Sequence, residues 1–119
     1  MARYETLFTP LNVGSVQIKN RVVRTAHGTG LVGEDLIAYH EARAKGGVAL
    51  SFLQATGVHP TARTGLPIFE DSVIPFLASL ADRMRPHGMR VFISSTTRGR
   101  PIRSVPVRCT GQRAPSRIP

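Results

Sequence analysis

Val48-Ala49-Leu50-Ser51-Phe52-Leu53-Gln54 is a nearly unbroken apolar run of strand length. A strand with one wet face alternates apolar and polar residues. A strand apolar on both faces is covered on both, as in a parallel sheet under helices. The flanking residues say what covers it. Upstream, residues 35–45 read as a helix, with Glu34 and Asp35 at its start, Arg43 and Lys45 in its last turn and Gly46-Gly47 as a stop. That order of charge complements the helix dipole. Downstream lies a loop with Gly57, Pro60, Gly65 and Pro67, and then Val73, Phe76, Leu77, Leu80, Ala81 and Met84 recur at helical spacing. This second, amphipathic helix takes Asp71 or Ser72 as its cap, accepts Pro75 in its first turn and ends near His87-Gly88.

Two further strands frame these helices. Arg21-Val22-Val23-Arg24-Thr25-Ala26 is β-branched and compact and reads as the first strand, and Arg90-Val91-Phe92-Ile93 opens the third. Ahead of the first strand, residues 7–20 alternate apolar and polar around Gly14-Ser15, which predicts a short hairpin over 12–18. The order is hairpin, β, α, β, α, β. Strands that alternate with helices imply βαβ crossovers and a parallel sheet, an α/β fold.

The composition changes abruptly after Ile93. Residues 94–119 hold six Arg, four Pro and four Ser, with no acidic and no aromatic residue, whereas all seven acidic residues lie between Glu5 and Asp82. Of the formal charge of +9, the tail supplies +6. Such a segment buries too little apolar surface to offset chain entropy, so residues 94–119 are expected to be a disordered tail and residues 1–93 the α/β unit. A chain of 119 residues holds at most one small domain with one modest core. No apolar run reaches the length of a membrane-spanning helix, so no membrane partner is expected. The N-terminal residues show no apolar signal core, and the single Cys109 excludes an internal disulfide. A cytoplasmic setting is the expectation.

Candidate chemistry is sparse. Gly28-Thr29-Gly30-Leu31-Val32-Gly33 matches the G-x-G-x-x-G dinucleotide pattern between a strand and a helix. Against it stand Glu34 and Asp35 where phosphates would sit, and Leu53-Gln54-Ala55-Thr56, which lacks the acidic residue that holds a ribose. His27, His40, His59 and His87 show no metal-ligand spacing, so no metal site is assigned. His87 falls at a helix C-terminus and His40 reads as a plain helix-face residue. His27 follows the first strand directly, where closed parallel barrels carry their active face. Asp35 with Glu41, and Glu70 with Asp71, read as helix-end charge and capping before they read as paired carboxylates. The tail arginines could meet phosphate by charge alone, but no aromatic lies among them to stack on a base.

Taken together, Leu7-Phe8-Thr9-Pro10-Leu11, Val13-Gly14-Ser15, Ile18-Lys19-Asn20-Arg21-Val22-Val23, Leu36-Ile37-Ala38-Tyr39-His40-Glu41-Ala42-Arg43-Ala44, Gly46-Gly47, Glu70-Asp71, Ala81-Asp82 and His87-Gly88 resemble the Old Yellow Enzyme family. The likeness runs from Leu7 to Ile93 and is strongest to the branch of dienoyl-CoA reductases and amine dehydrogenases. The resemblance implies the N-terminal part of a TIM (β/α)8 barrel: the hairpin plus about two and a half βα units. It implies FMN as cofactor, NAD(P)H as reductant and a small-molecule substrate such as an activated alkene. On that likeness Thr25, Ala26 and His27 would meet the flavin, largely through backbone, and Ala55, with Thr56, would approach its ring. No residue here is assigned a catalytic role. Arg24-Thr25-Ala26-His27 departs from the family's more usual small-Pro-Met sequence.

In that family the third strand typically runs on into Gln-Leu-x-His-x-Gly-Arg, whose Gln binds the flavin. Here Ile93 is followed by Ser94-Ser95-Thr96-Thr97-Arg98-Gly99. CAG CTC CAC CAC GCG GGG encodes Gln-Leu-His-His-Ala-Gly. Without its first base it reads AGC TCC ACC ACG CGG GG, which is Ser-Ser-Thr-Thr-Arg-Gly. A one-nucleotide frameshift after Ile93 is therefore the expected origin of the tail. Two classes of function stay open. One is a truncated flavoenzyme, inactive and prone to self-association because its sheet edge and barrel-facing surface are uncovered. The other is a small basic module whose tail binds nucleic acid or an acidic partner.

Overall fold

The computed structural model describes residues 4–62, 65–97, 100–101 and 105–106. The hairpin forms where the alternation predicts it. β1 (Leu11–Val13) pairs antiparallel with β2 (Val16–Ile18) across Gly14-Ser15. β3 (Val23–Arg24) leads to α1 (Gly33–Lys45), then to β4 (Leu50–Gly57) and the short β5 (Leu66–Pro67). α2 (Ile74–Met84) follows, then β6 (Arg90–Thr97), β7 (Arg100–Pro101) and β8 (Val105–Pro106). β4 lies between β3 and β6 and is parallel to both, as the β-α-β-α-β order requires. β7 and β8 add to β6 in the antiparallel sense.

Alternation along the central strands splits the interior into two layers. Leu53 of β4 and Val91 of β6 face the helices and pack with Ile37 and Ala44 of α1 and Leu80 and Met84 of α2. Leu50 and Phe92 face the other way and pack against Ile18, Val13 and Val16 of the hairpin. Phe52 and Phe92 meet edge to face at 5.5 Å on that side. The hairpin thus covers this face of the sheet where the strands begin. Lys19 Nζ donates to the His87 carbonyl at 2.6 Å, and Asn20 donates to the Gly47 carbonyl at 2.8 Å. These two bonds tie the hairpin to the helix ends behind the sheet.

Several boundaries differ from the expectation. The first strand covers two residues, not 21–26, because β3 has β4 on one side alone and the chain turns away after Arg24. β4 starts two residues later than the apolar run and extends through Gly57. It carries a register shift against β6 between Phe52 and Ala55, a β-bulge on β4. Neither Asp71 nor Ser72 caps α2. The chain enters through a 3-10 turn at Asp71–Val73, and the Ser72 hydroxyl donates to Glu70. Pro75 lies in the first turn as predicted. The helical run ends in a second 3-10 turn, Arg85–His87, and Gly88 takes the left-handed conformation at φ 65°.

β6 does not stop at the composition break. Its ladder with β4 continues through Ala55–Ser94, Thr56–Ser95 and Gly57–Thr96. Ser and Thr carry the backbone groups that a ladder needs, and no proline intervenes before Pro101. Residues 94–97, 100–101 and 105–106 are strand, not the disordered tail expected over 94–119, because the ladder reaches them; residues 98–99, 102–104 and 107–119 lie outside the described residues. No helix among the described residues is long and apolar enough to cross a membrane.

Candidate functional site at the strand ends

The three parallel strands point the same way, so their C-terminal ends open on one face. β3 ends at Arg24, and the exposed residues Thr25, Ala26 and His27 leave it there. Ala55, also exposed, lies near the end of β4 and pairs in register with Ser94 of β6. Its neighbour Thr56 is fully buried and donates through Oγ1 to the Ser94 carbonyl at 2.9 Å. The fold therefore brings all four sequence-derived candidates, Thr25, Ala26, His27 and Ala55, to one end of the sheet.

The most elaborate contacts there centre on two residues that sequence reasoning passed over, Arg24 and Tyr39. Arg24 points to the helix side of β3. Its Nη1 donates to the Phe52 carbonyl at 2.7 Å, where the β4 bulge begins. Its Nη2 lies 3.2 Å from His27 Nε2 and 3.4 Å from the His27 carbonyl. Tyr39 of α1 places its hydroxyl 3.4 Å from the same Nε2. Arg43, one turn on, stacks on the Tyr39 ring at 3.3 Å, and Arg24 lies 5.1 Å from it. The hydrogen bond from Arg24 lowers the Tyr39 hydroxyl pKa, with both guanidinium charges acting in the same sense and burial opposing them. The i, i+4 spacing of Tyr39 and Arg43 was the available sequence signal for this stack.

Behind this group His40 is fully buried, with Nδ1 3.0 Å from Ser51 Oγ and Nε2 without a hydrogen-bond partner. Burial first, and then the charges of Arg24 and Arg43, push its pKa down from 6.5 to about 4. His40 is thus a neutral core group, not a plain helix-face residue. Leu36, Ile37 and Ala44 are the other buried residues of α1, and that spacing already places His40 on the inner face.

The remaining candidates are structural. Glu41 pairs with Lys45 and with Arg83 of α2, and Arg83 also holds Glu34. The hydrogen bonds from Arg83 and then Lys45 hold the Glu41 carboxyl below its ordinary pKa. His87 sits just past α2 with Nε2 4.0 Å from Glu41. Among the described residues, no three His, Cys, Asp or Glu gather as metal ligands. A cavity of about 380 Å³ is lined by Ile68, Val73, Leu77 and Ile93 with Glu70 and Asp71, and by none of the four strand-end candidates.

The profile of the NADH:flavin oxidoreductase / NADH oxidase family matches residues 6–115. The chain belongs to that family. Among its relatives is the N,N-dimethylglycine/sarcosine dehydrogenase of Chromohalobacter salexigens, 33% identical over 108 residues, a match covering 82% of this chain and 16% of the relative. The structure of histamine dehydrogenase from Rhizobium sp. 4-9 superposes with a TM-score of 0.72 at 27% identity, over 80% of this chain and 16% of that one. The old yellow enzyme from Trypanosoma cruzi superposes at a TM-score of 0.69 and 24% identity, over 79% of this chain and 27% of that one, and speaks for the fold alone. The described fold is thus part of a (β/α)8 barrel, and the chain spans 16% of the length of its first relative.

The family's flavin can be tested against the residues present. β3 ends at Arg24, so the amide groups of Thr25 and Ala26 lie beyond the ladder. Residues 25–27, 55–57 and 94–96 carry hydroxyls, small side chains and the His27 imidazole and no carboxylate, and the Thr25 and Ala26 amides stand outside the β4–β6 ladder. That donor set fits the edge and face of a flavin ring. None of these residues is Lys or Arg, so they supply no counter-charge for the FMN phosphate.

Proposed function

We propose that this chain carries the first part of the cofactor face of an FMN-dependent NAD(P)H oxidoreductase of the Old Yellow Enzyme type, acting on a small-molecule substrate. The observation that carries this reading is the open end of the parallel β3–β4–β6 sheet in a chain of the flavin oxidoreductase family. Thr25 and Ala26 would hold the ring edge through their amides, and Ala55, small and exposed, would lie against its face. When bound, FMN supplies the two-electron carrier between NAD(P)H and substrate. The chain's own part is to bind, orient and exclude water.

In this reading residues 1–119 do not suffice for turnover. A closed barrel takes about 250 residues and eight βα units. The chain also has Ser94 where the family resemblance expects the flavin-binding Gln. We further propose that residues 94–119 arise from a one-base frameshift, that the parent works in the cytoplasm, and that the isolated chain self-associates. Resequencing across the codons for residues 91–101 tests the frameshift: one restored base should open a long frame beginning Gln-Leu-x-His. A confirmed frame, with the alternative closed by stops, would overturn it and make salt-sensitive nucleic-acid binding by the six tail arginines the reading to test. Flavin fluorescence titration tests the rest. The chain as it stands should bind FMN weakly and far below one per chain, and the frame-restored protein should bind one. Stoichiometric FMN on soluble monomeric 1–119 would sink the claim of insufficiency.

A further inference from the structure

His27 lies at the strand ends, yet its ring is engaged on both nitrogens. A guanidinium can only donate hydrogen bonds, and a peptide carbonyl can only accept them. Arg24 Nη2 faces His27 Nε2 at 3.2 Å, and the Thr25 carbonyl faces Nδ1 at 3.3 Å. Nε2 must then carry the lone pair and Nδ1 the proton. The partners fix the tautomer, as they do wherever the two ring nitrogens meet groups of opposite kind. The Tyr39 hydroxyl, 3.4 Å from the same Nε2, adds a second donor on that side.

We infer that Arg24 is a positioning residue of the strand-end face: it locks His27 as the neutral Nδ1–H tautomer and turns the imidazole back toward β4 and α1. The same guanidinium bonds the Phe52 carbonyl of β4 at 2.7 Å, so one side chain ties the departing segment to β4. The groups left to face a docked ring are the backbone of Thr25 and Ala26, not the His27 imidazole. This rests on the reading of the strand ends as a cofactor face and sharpens it. His27 is a strut there, not a proton donor or a metal ligand.

The experiment is a long-range proton–nitrogen correlation spectrum of the histidine rings in 15N-labelled residues 1–119, without flavin. His27 is assigned by the signal lost in His27→Asn. The expected pattern is Nδ1–H, the reverse of the Nε2–H form that a free histidine side chain favours. Tyr39→Phe should keep it, because Arg24 remains. Arg24→Lys should keep it, because an ammonium also donates. In the Tyr39→Phe background, where Arg24 is the remaining donor to Nε2, Arg24→Met should return His27 to Nε2–H or to a mixture, which loss of packing alone would not do. An Nε2–H or averaged His27 in the unsubstituted chain overturns the inference, as does an unchanged tautomer in the Arg24→Met, Tyr39→Phe double variant. If the double variant does not fold, the unsubstituted chain still decides. Sedimented protein gives the same assignment by solid-state NMR, so low solubility leaves the test intact. Failure to bind FMN would not alter this spectrum, and a wrong tautomer would not alter FMN binding, so the two readings fail separately.

Discussion

His40 is fully buried and neutral, and its folded pKa of about 4 lies below the 6.5 of an ordinary imidazole. Between those values the unfolded chain binds the extra proton and the folded chain does not. Stability is therefore unaffected above about pH 6.5 and falls as pH drops from there toward 4, by about 2 kcal/mol at pH 5. Urea unfolding at about pH 7.5 and pH 5 measures this, and His40→Asn should narrow the difference between the two. Gly65 makes a second prediction. Its φ is +82°, and a Cβ there would overlap the backbone of Ala55, whereas at Gly30, φ +74°, a Cβ would meet open space. Gly30→Ala should cost about 1–2 kcal/mol for the left-handed backbone alone, and Gly65→Ala clearly more in the same denaturation assay. Neither role was readable from the residue itself. A histidine takes its character from the face it occupies, and a glycine shows its neighbour only once the chain has folded.

The elements themselves were the legible part. The hairpin, both helices and the parallel order of the central strands follow from alternation, from the 3.6-residue recurrence of Val73 to Met84, and from the apolar run at 48–54. The edges of the elements were not legible, because tertiary partners set them. β3 shrinks to Val23–Arg24 because it has a sheet neighbour on one side, and β4 shifts toward Gly57 because β5 and β6 extend its ladder. Leu80 shows where element stability resides. It is fully buried where α2 meets the sheet, beside Leu53, Met84 and Val91. Leu80→Ala should destabilise the fold by about 2–5 kcal/mol, read as a lower urea midpoint with an unchanged slope. An Asp71→Ala substitution, by contrast, should have little effect, since no side chain caps α2.

At the scale of the whole molecule, β3 is the outer strand of the parallel set and Val23 on it is 41% exposed. A bare edge of this kind invites a second copy, and a charge on it discourages one. Val23→Lys should shift residues 1–119 toward monomer in sedimentation velocity. An unaltered size distribution would place the association elsewhere. The family likeness pointed to Thr25, Ala26, His27 and Ala55 as candidates at the strand ends, while the contacts of Arg24 and Tyr39 there show only when α1 lies against β3. The ladder between β4 and β6 has a consequence of its own. It bonds Ser94, Ser95 and Thr96 to β4 as it bonds Arg90, Val91 and Phe92. Amides and carbonyls do not report which side chain they carry, so the sheet reads across a point where the composition changes entirely. Amide hydrogen exchange should therefore stay slow through residue 96, several residues beyond the place where the alphabet of the chain changes. At residues 94–96 the order comes from the ladder with β4 and not from the side chains strung along it.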